Sequence, residues 1–165
     1  MTELRFPLKG YALRRAGDGD MRFVTDCIRD SVLSSVPETE RKHSGLWIDD
    51  ILGVTSIAIG GGLMGSEVFV LCDGSEERIG MLWMGTTKDQ FTCEETGYLL
   101  GIFIIKEFRG KGLGKALMAC AEDWCAKNDL LSLTLNVGSV NGDAKRMYEH
   151  SGFEPRSVVM RKRLR

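Results

Sequence analysis

Apolar positions along this chain recur with two periods, and the switches between them sketch the fold. Tyr11–Arg15 has the length of a short first strand. Val24, Ile28 and Val32 then recur every four residues behind Asp18 and Asp20, which offer N-caps to one amphipathic helix. Ser35-Val36-Pro37-Glu38 has the S-x-x-E form of a capping box with proline in the first turn, which predicts a second helix running toward Leu52. The glycine-rich residues 60–65 break that pattern. Two β-rich runs, Glu67–Cys72 and Arg78–Met84, flank Asp73-Gly74-Ser75 and predict a hairpin. The polar segment Gly85–Gly97 reads as a loop. Leu99–Ile105 is apolar at nearly every position, as expected of a central strand buried on both faces.

The pattern is sharper in the second half. Leu113, Leu117, Cys120, Ala121 and Trp124 share one helical face, and Asn128 is a C-terminal stop. Leu131, Leu133, Leu135 and Val137 alternate with Ser132, Thr134 and Asn136 and predict a half-buried strand. A short helix from Asn141 to His150 is stopped by Gly152, and Val158–Leu164 completes the order as a last strand. With no repeat or linker in the sequence, the whole of 1–165 reads as a single α/β (α+β) domain around one mixed sheet.

Composition narrows the classes. At 43% hydrophobic and 27% charged residues the chain can bury a real core, so disorder is disfavoured. A net charge of −1 supplies no long-range attraction to nucleic acid, and the basic stretch Arg161–Arg165 reads as a solvated terminal strand. The longest uncharged run, the 16 residues Ile51–Ser66, falls short of a bilayer span of roughly 20 residues and argues against a membrane partner. The five cysteines (27, 72, 93, 120, 125) form no C-x-x-C pair. Behind a hydrophilic start they are expected as reduced thiols in a cytoplasmic protein. Neither His43 nor His150 neighbours a cysteine at ligand spacing, so no metal is expected.

The candidate chemistry lies between the apolar run and the clearest helix, in Phe108-Arg109-Gly110-Lys111-Gly112-Leu113-Gly114-Lys115. Bare backbone N–H groups at a strand-to-helix junction, at the positive end of the helix dipole, bind phosphate. A P-loop fails because Arg109 stands where the first glycine is needed and Ala116 replaces the magnesium-holding hydroxyl. A dinucleotide fingerprint fails because Lys115 takes the third glycine position and the following strand carries no acid. What remains is R-x-x-G-x-G.

That motif resembles the pyrophosphate-binding [QR]-x-x-G-x-[GA] of the GNAT family of N-acetyltransferases. Downstream, Leu135, Val137, Asn141, Ala144, Tyr148 and Gly152-Phe153 are similar to the family's L-x-V-x-x-x-N-x-x-A-x-x-x-Y-x-x-x-G-F at matching spacing. The two blocks span about residues 98–153; the first 95 residues match only loosely. The resemblance implies a mostly antiparallel sheet of about six or seven strands, flanked by helices, with a splayed parallel pair forming a cleft for acetyl-CoA. It implies that Ile102, Phe103 and Ile104 line the pantetheine arm, with the backbone groups of Ile102 and Ile104 offered to it. Arg109, Gly110, Lys111, Gly112, Leu113, Gly114 and Lys115 then hold the pyrophosphate, and Asn141 and Ala144 complete the cofactor site.

By the same resemblance Tyr148 is the acid for the leaving thiolate, and a primary amine of a small molecule or peptide attacks the thioester directly in a ternary complex. The family's glutamate base matches Tyr98 here, so the base stays open between Glu94, Glu95, His43 and a water. An acetyl-cysteine route through Cys72 or Cys93 lacks a basic partner to lower the thiol pKa. The acidic residues Glu38, Glu40, Asp89, Glu94 and Glu95, in the stretches expected to shape the acceptor site, lean toward a cationic amine. A non-catalytic acyl-CoA-binding module is the alternative reading, and family habit allows a homodimer.

Overall fold

A computed structural model describes residues 3–38, 65–162 and 164. The helix expected toward Leu52, apart from its first residues, the glycines at 60–62, His43 and Glu40 lie outside that set. The described elements are β1 (Tyr11–Arg15), α1 (Met21–Ser35), β2 (Glu67–Asp73), β3 (Arg78–Lys88), β4 (Glu95–Ile104), α2 (Leu113–Lys127), β5 (Leu133–Leu135) and α3 (Gly142–His150). One sheet runs in the order β1-β2-β3-β4-β5, antiparallel except for the parallel β4–β5 pair. Among the described residues the sheet has five strands, not the six or seven expected.

The two periods seen in the sequence become two cores on opposite faces of this sheet. Val68, Val70, Met81 and Trp83 face Val24, Cys27 and Ile28 of α1. Phe69, Leu71, Leu82, Met84 and Leu99 face Leu113, Leu117 and Trp124 of α2. Because both faces are covered, β2 is buried at five consecutive positions, which hides the alternation of a half-exposed strand. Asp73 closes the predicted hairpin, its Oδ1 accepting from the backbone N–H of Ser75 and Glu77.

Several expectations are corrected. The carboxylate of Asp20 does not cap α1. It accepts from Gly17 N–H and from the guanidiniums of Arg14 and Arg78, tying the entry of α1 to β1 and β3. Ser35 opens no capping box; it ends α1, and its Oγ donates back to the Ser31 carbonyl. The polar segment 85–97 is mostly strand, with β3 running to Lys88 and β4 starting at Glu95. Thr86, Thr87 and Thr96 are polar yet β-branched, and the buried Thr96 hydroxyl is satisfied by the carbonyl of Ser132 at 3.0 Å. The strand predicted from Leu131 shrinks to Leu133–Leu135, and Leu131 is fully exposed. Val158–Leu164 forms no strand among its described residues, where Val159 is 98% exposed.

Candidate active site

The cleft exists because β5 is short. It pairs with β4 only at Gly97–Leu133, Tyr98–Thr134 and Leu99–Leu135, whereas β4 stays paired to β3 as far as Ile104. Beyond Leu99 the β4 edge is therefore open. This corrects the expectation of burial on both faces, because Leu100 is exposed and Gly101–Phe103 are half-buried. A bulge opposite Trp83 and Met84 places Leu100 as the extra residue on β4 where the strands part.

Strand alternation decides which main-chain groups face the gap. Ile105 N–H donates to Ile79 on the β3 side. Ile102 and Ile104, on the other phase, direct their backbone groups toward the open edge, while those of Phe103 point toward β3. The Ile104 carbonyl is already taken by Arg109 Nε at 2.9 Å, and the guanidinium lies 5.3 Å from the Phe103 ring centroid. Arg109 thus braces the loop to the end of β4, and its own N–H donates to Lys106.

The loop after that brace leaves its donors free. Among the described residues, none of the six consecutive backbone N–H groups from Gly110 to Lys115 has a hydrogen-bond acceptor; the first bond of the helical ladder is Ala116 N–H to Gly112. Gly110 and Gly112 both hold positive φ, 75° and 78°, a conformation that L side chains rarely adopt. Gly114 is close-packed for a different reason: a Cβ there would stand 3.0 Å from Met147 Sδ, and that side chain would have to give way. That contact brings α3, and with it Tyr148, against the first turn of α2. Lys115 is exposed, and Lys111 Nζ sits 4.4 Å from the Phe108 ring centroid. Neither lysine has an ion-pair partner among the described residues.

Tyr148 packs edge-to-face on Phe153, ring centroids 5.8 Å apart, against the α2-side core. Its hydroxyl has no hydrogen-bond partner among the described residues, and burial pushes its pKa up to about 12. Asn141 is the N-cap of α3, accepting from Ala144 N–H at 3.2 Å, and its Nδ2 donates to Ser35 Oγ at the end of α1. Asn141 and Ala144 therefore orient the helix that carries Tyr148.

Of the candidate bases, the described ones lie elsewhere. Glu94 and Glu95 are exposed at the β3–β4 turn, and Glu95 is about 13 Å from Leu99 at about 3.3 Å per residue along β4. Asp89 is not free for an acceptor. Its carboxylate accepts from the backbone N–H of Phe91 and Thr92 and pairs with Arg156. These bonds hold it down at about 2, the Thr92 and Phe91 amides contributing most. Of the cysteines, Cys27, Cys72, Cys120 and Cys125 are buried; burial pushes Cys27 to about 12 and Cys120 and Cys125 to about 11. The side-chain bond from Asn136 Nδ2 to Tyr98 Oη, at 2.7 Å, is a feature that sequence reasoning missed. Parallel register alone, with Tyr98 beside Thr134, is the signal that could have found it.

Among the described residues no group of three His, Cys, Asp or Glu side chains is placed to hold a metal ion, and no helix is long and apolar enough to cross a membrane. An open groove of about 850 Å³, lined by Leu4, Phe6, Tyr11 and Lys127, follows the β1 edge, the opposite side of the sheet from these groups.

A loop of unpaired backbone N–H groups thus lies beside a parallel strand pair that parts after Leu99. The profile of the Acetyltransferase (GNAT) family matches residues 38–153. The chain belongs to the GNAT family. A putative acetyl transferase from Pyrococcus furiosus shares the fold at a TM-score of 0.76 and 22% identity, over 93% of this chain and 99% of that one. An aminoglycoside antibiotic 6'-N-acetyltransferase from Acinetobacter baumannii superposes at a TM-score of 0.70 and 16% identity, over 94% and 99%. The uncharacterized N-acetyltransferase YycN of Bacillus subtilis is 30% identical over 86 residues, 52% of this chain and 54% of YycN. The chain thus spans about half the length of the curated relatives it matches.

Proposed function

We propose that this GNAT protein moves the acetyl group of acetyl-CoA to a primary amine of a small molecule or peptide, by direct attack with both substrates bound. The observation that carries this is the run of six unpaired backbone donors from Gly110 to Lys115 at the head of α2, beside the gap between β4 and β5. Such a run suits a diphosphate, whose oxygens need several donors at once. Lys111 and Lys115 add positive charge at its rim. Ile102 N–H and Ile104 N–H offer donors along the open strand edge to the amide groups of the pantetheine arm, directing the thioester into the gap.

Tyr148 serves the departing sulfur. At a pKa of about 12 the phenol keeps its proton throughout the neutral range. Full transfer to a thiolate of pKa about 8.5 is uphill by about 5 kcal/mol, so its role is to donate a hydrogen bond as charge develops on sulfur. The acceptor is an amine. The Asp89 carboxylate is already paired with Arg156, which leaves Glu38, Glu94 and Glu95 as the exposed acids, among the described residues, near the expected acceptor stretches.

The test is acetyl-CoA titration by calorimetry, followed by free-thiol release against a panel of polyamines, aminoglycosides and peptide amines. Binding with amine-dependent thiol release is expected. Binding without transfer to any amine would instead identify an acyl-CoA-binding module, and absence of binding would end both readings.

A further inference from the structure

On the α1 face, β4 and β5 are joined by side chains as well as by main chain. Tyr98 pairs with Thr134, one step before the last main-chain pair, Leu99 with Leu135. Asn136, the residue after β5, donates its Nδ2–H to the Tyr98 hydroxyl oxygen at 2.7 Å. This bond spans the two strands at the root of the gap. Leu100 Cδ1 occupies the space over Gly85, the β3 partner of Tyr98, and the phenol reaches the other way, across to Asn136. A phenol oxygen has two acceptor sites and one proton. Asn136 uses one acceptor site, which leaves the second, and the rotatable O–H, where the strands part.

We infer that Tyr98, positioned by Asn136, receives the acceptor amine by hydrogen bonding without taking its proton, so that the amine must arrive already neutral. The inference deepens the acetyl-transfer reading and rests on it.

Among the described residues, the surroundings of Tyr98 carry the second half of that statement. Glu95 and Lys88 are the nearest charged groups on β4 and β3; they are paired in register at the turn, about 10 Å along the strand from Tyr98. β5 contributes Leu133, Thr134 and Leu135, none of them titratable. From α1, Val24, Cys27 and Ile28 are buried against the sheet, and the Cys27 thiol is pushed up to about 12. Burial also raises the Tyr98 phenol above its ordinary value, with the Asn136 bond the smaller, opposing influence. A protonated phenol accepts an N–H of the amine at its remaining acceptor site, which leaves the nitrogen lone pair free for the thioester, and it removes no proton. In the step itself the N–C bond forms as the C–S bond breaks. One amine hydrogen stays on the amide nitrogen and the other ends as a proton on sulfur, which closes the balance without a protein base.

The experiment compares kcat/KM against pH for the best acceptor of the amine panel and for its analogue fluorinated beside the amine carbon, whose pKa is lower. The ascending limb is expected to move down with the pKa of the amine. A limb that stays put for both amines would reveal a base on the protein and overturn the inference while leaving acetyl transfer intact. Failure of every amine to release thiol would remove the proposed function, and this inference with it. In the same assay Tyr98→Phe is expected to lower kcat/KM about tenfold, the worth of one hydrogen bond, with acetyl-CoA affinity unchanged. Asn136→Ala is expected to lower it in the presence of Tyr98 and to add nothing in the Tyr98→Phe background. Independent effects of the two substitutions would show that the bond positions nothing.

Discussion

The ring of Tyr148 packs on Phe153 and the α2-side core, while its hydroxyl has no hydrogen-bond partner among the described residues, which suits the donor role proposed for it. Replacing it with phenylalanine removes one oxygen and leaves the ring contact with Phe153. For Tyr148→Phe we expect turnover to fall about 10²-fold with acetyl-CoA affinity unchanged, read by steady-state kinetics and calorimetry. The same phenol has a stability signature. Its pKa is about 12 in the folded chain against about 10 when unfolded, so between those values the native state binds more protons and stability falls as pH rises. Urea unfolding of Tyr148→Phe should therefore lose part of the drop between pH 10 and 12. A second residue-scale expectation concerns Gly112, at φ 78°. A Cβ meets no atom within 4 Å there, yet valine is disfavoured in the left-handed region by about 1–2 kcal/mol. Gly112→Val should re-aim the free N–H groups and weaken acetyl-CoA binding at least about tenfold, with far-ultraviolet dichroism retained.

At the scale of elements, the β3–β4 turn shows how one carboxylate organises a segment and how it titrates. Asp89 collects two backbone N–H groups and the guanidinium of Arg156, which itself lies 4.9 Å from the Phe91 ring centroid, so the turn and the chain after α3 are tied together. Held at about 2 against about 3.9 unfolded, this group contributes stability that is present above pH 4 and lost progressively as pH falls toward 2. Asp89→Asn should flatten stability across that window, and amide exchange at Phe91 and Thr92 should quicken at neutral pH. None of this was legible in the sequence, where 85–97 looked like a loop because its polar threonines outweigh its β-branching. α2 was legible almost to the residue, since its apolar face at Leu113, Leu117 and Trp124 meets a covered sheet and Asn128 ends it. β5 was over-read: alternation predicts a strand as far as a partner exists, and β4 offers one only to Leu135. Gly110 and Gly112 satisfy a positive-φ backbone whereas Gly114 lies against Met147, a distinction that only coordinates supply.

Across the whole molecule the sheet separates support from chemistry. β2 and β3 are paired on both sides and β1 on one, while the β4 edge beyond Leu99 and the donors at 110–115 carry unpaired backbone groups at the other end of the sheet. A ligand that fills those donors couples β4, α2 and α3 without touching the far edge, and its effect should be confined in the same way. Amide exchange in saturating acetyl-CoA is expected to slow at Gly110–Lys115 and at Ile102 and Ile104, and to stay unchanged across β1 and β2. The same binding stabilises the folded chain by mass action, about 2.7 kcal/mol at a hundred times the dissociation constant. For 165 residues unfolding with an entropy of about 2.1 cal/mol/K per residue, that corresponds to a rise in Tm of about 8 °C. Gly112→Val should abolish most of that rise, whereas Tyr148→Phe should keep it, because one substitution removes the grip on the diphosphate and the other only the donor to sulfur. Equal rises for wild type and Gly112→Val would mean that the nucleotide binds elsewhere on the molecule, and protection spread over β1 and β2 would point to the same conclusion.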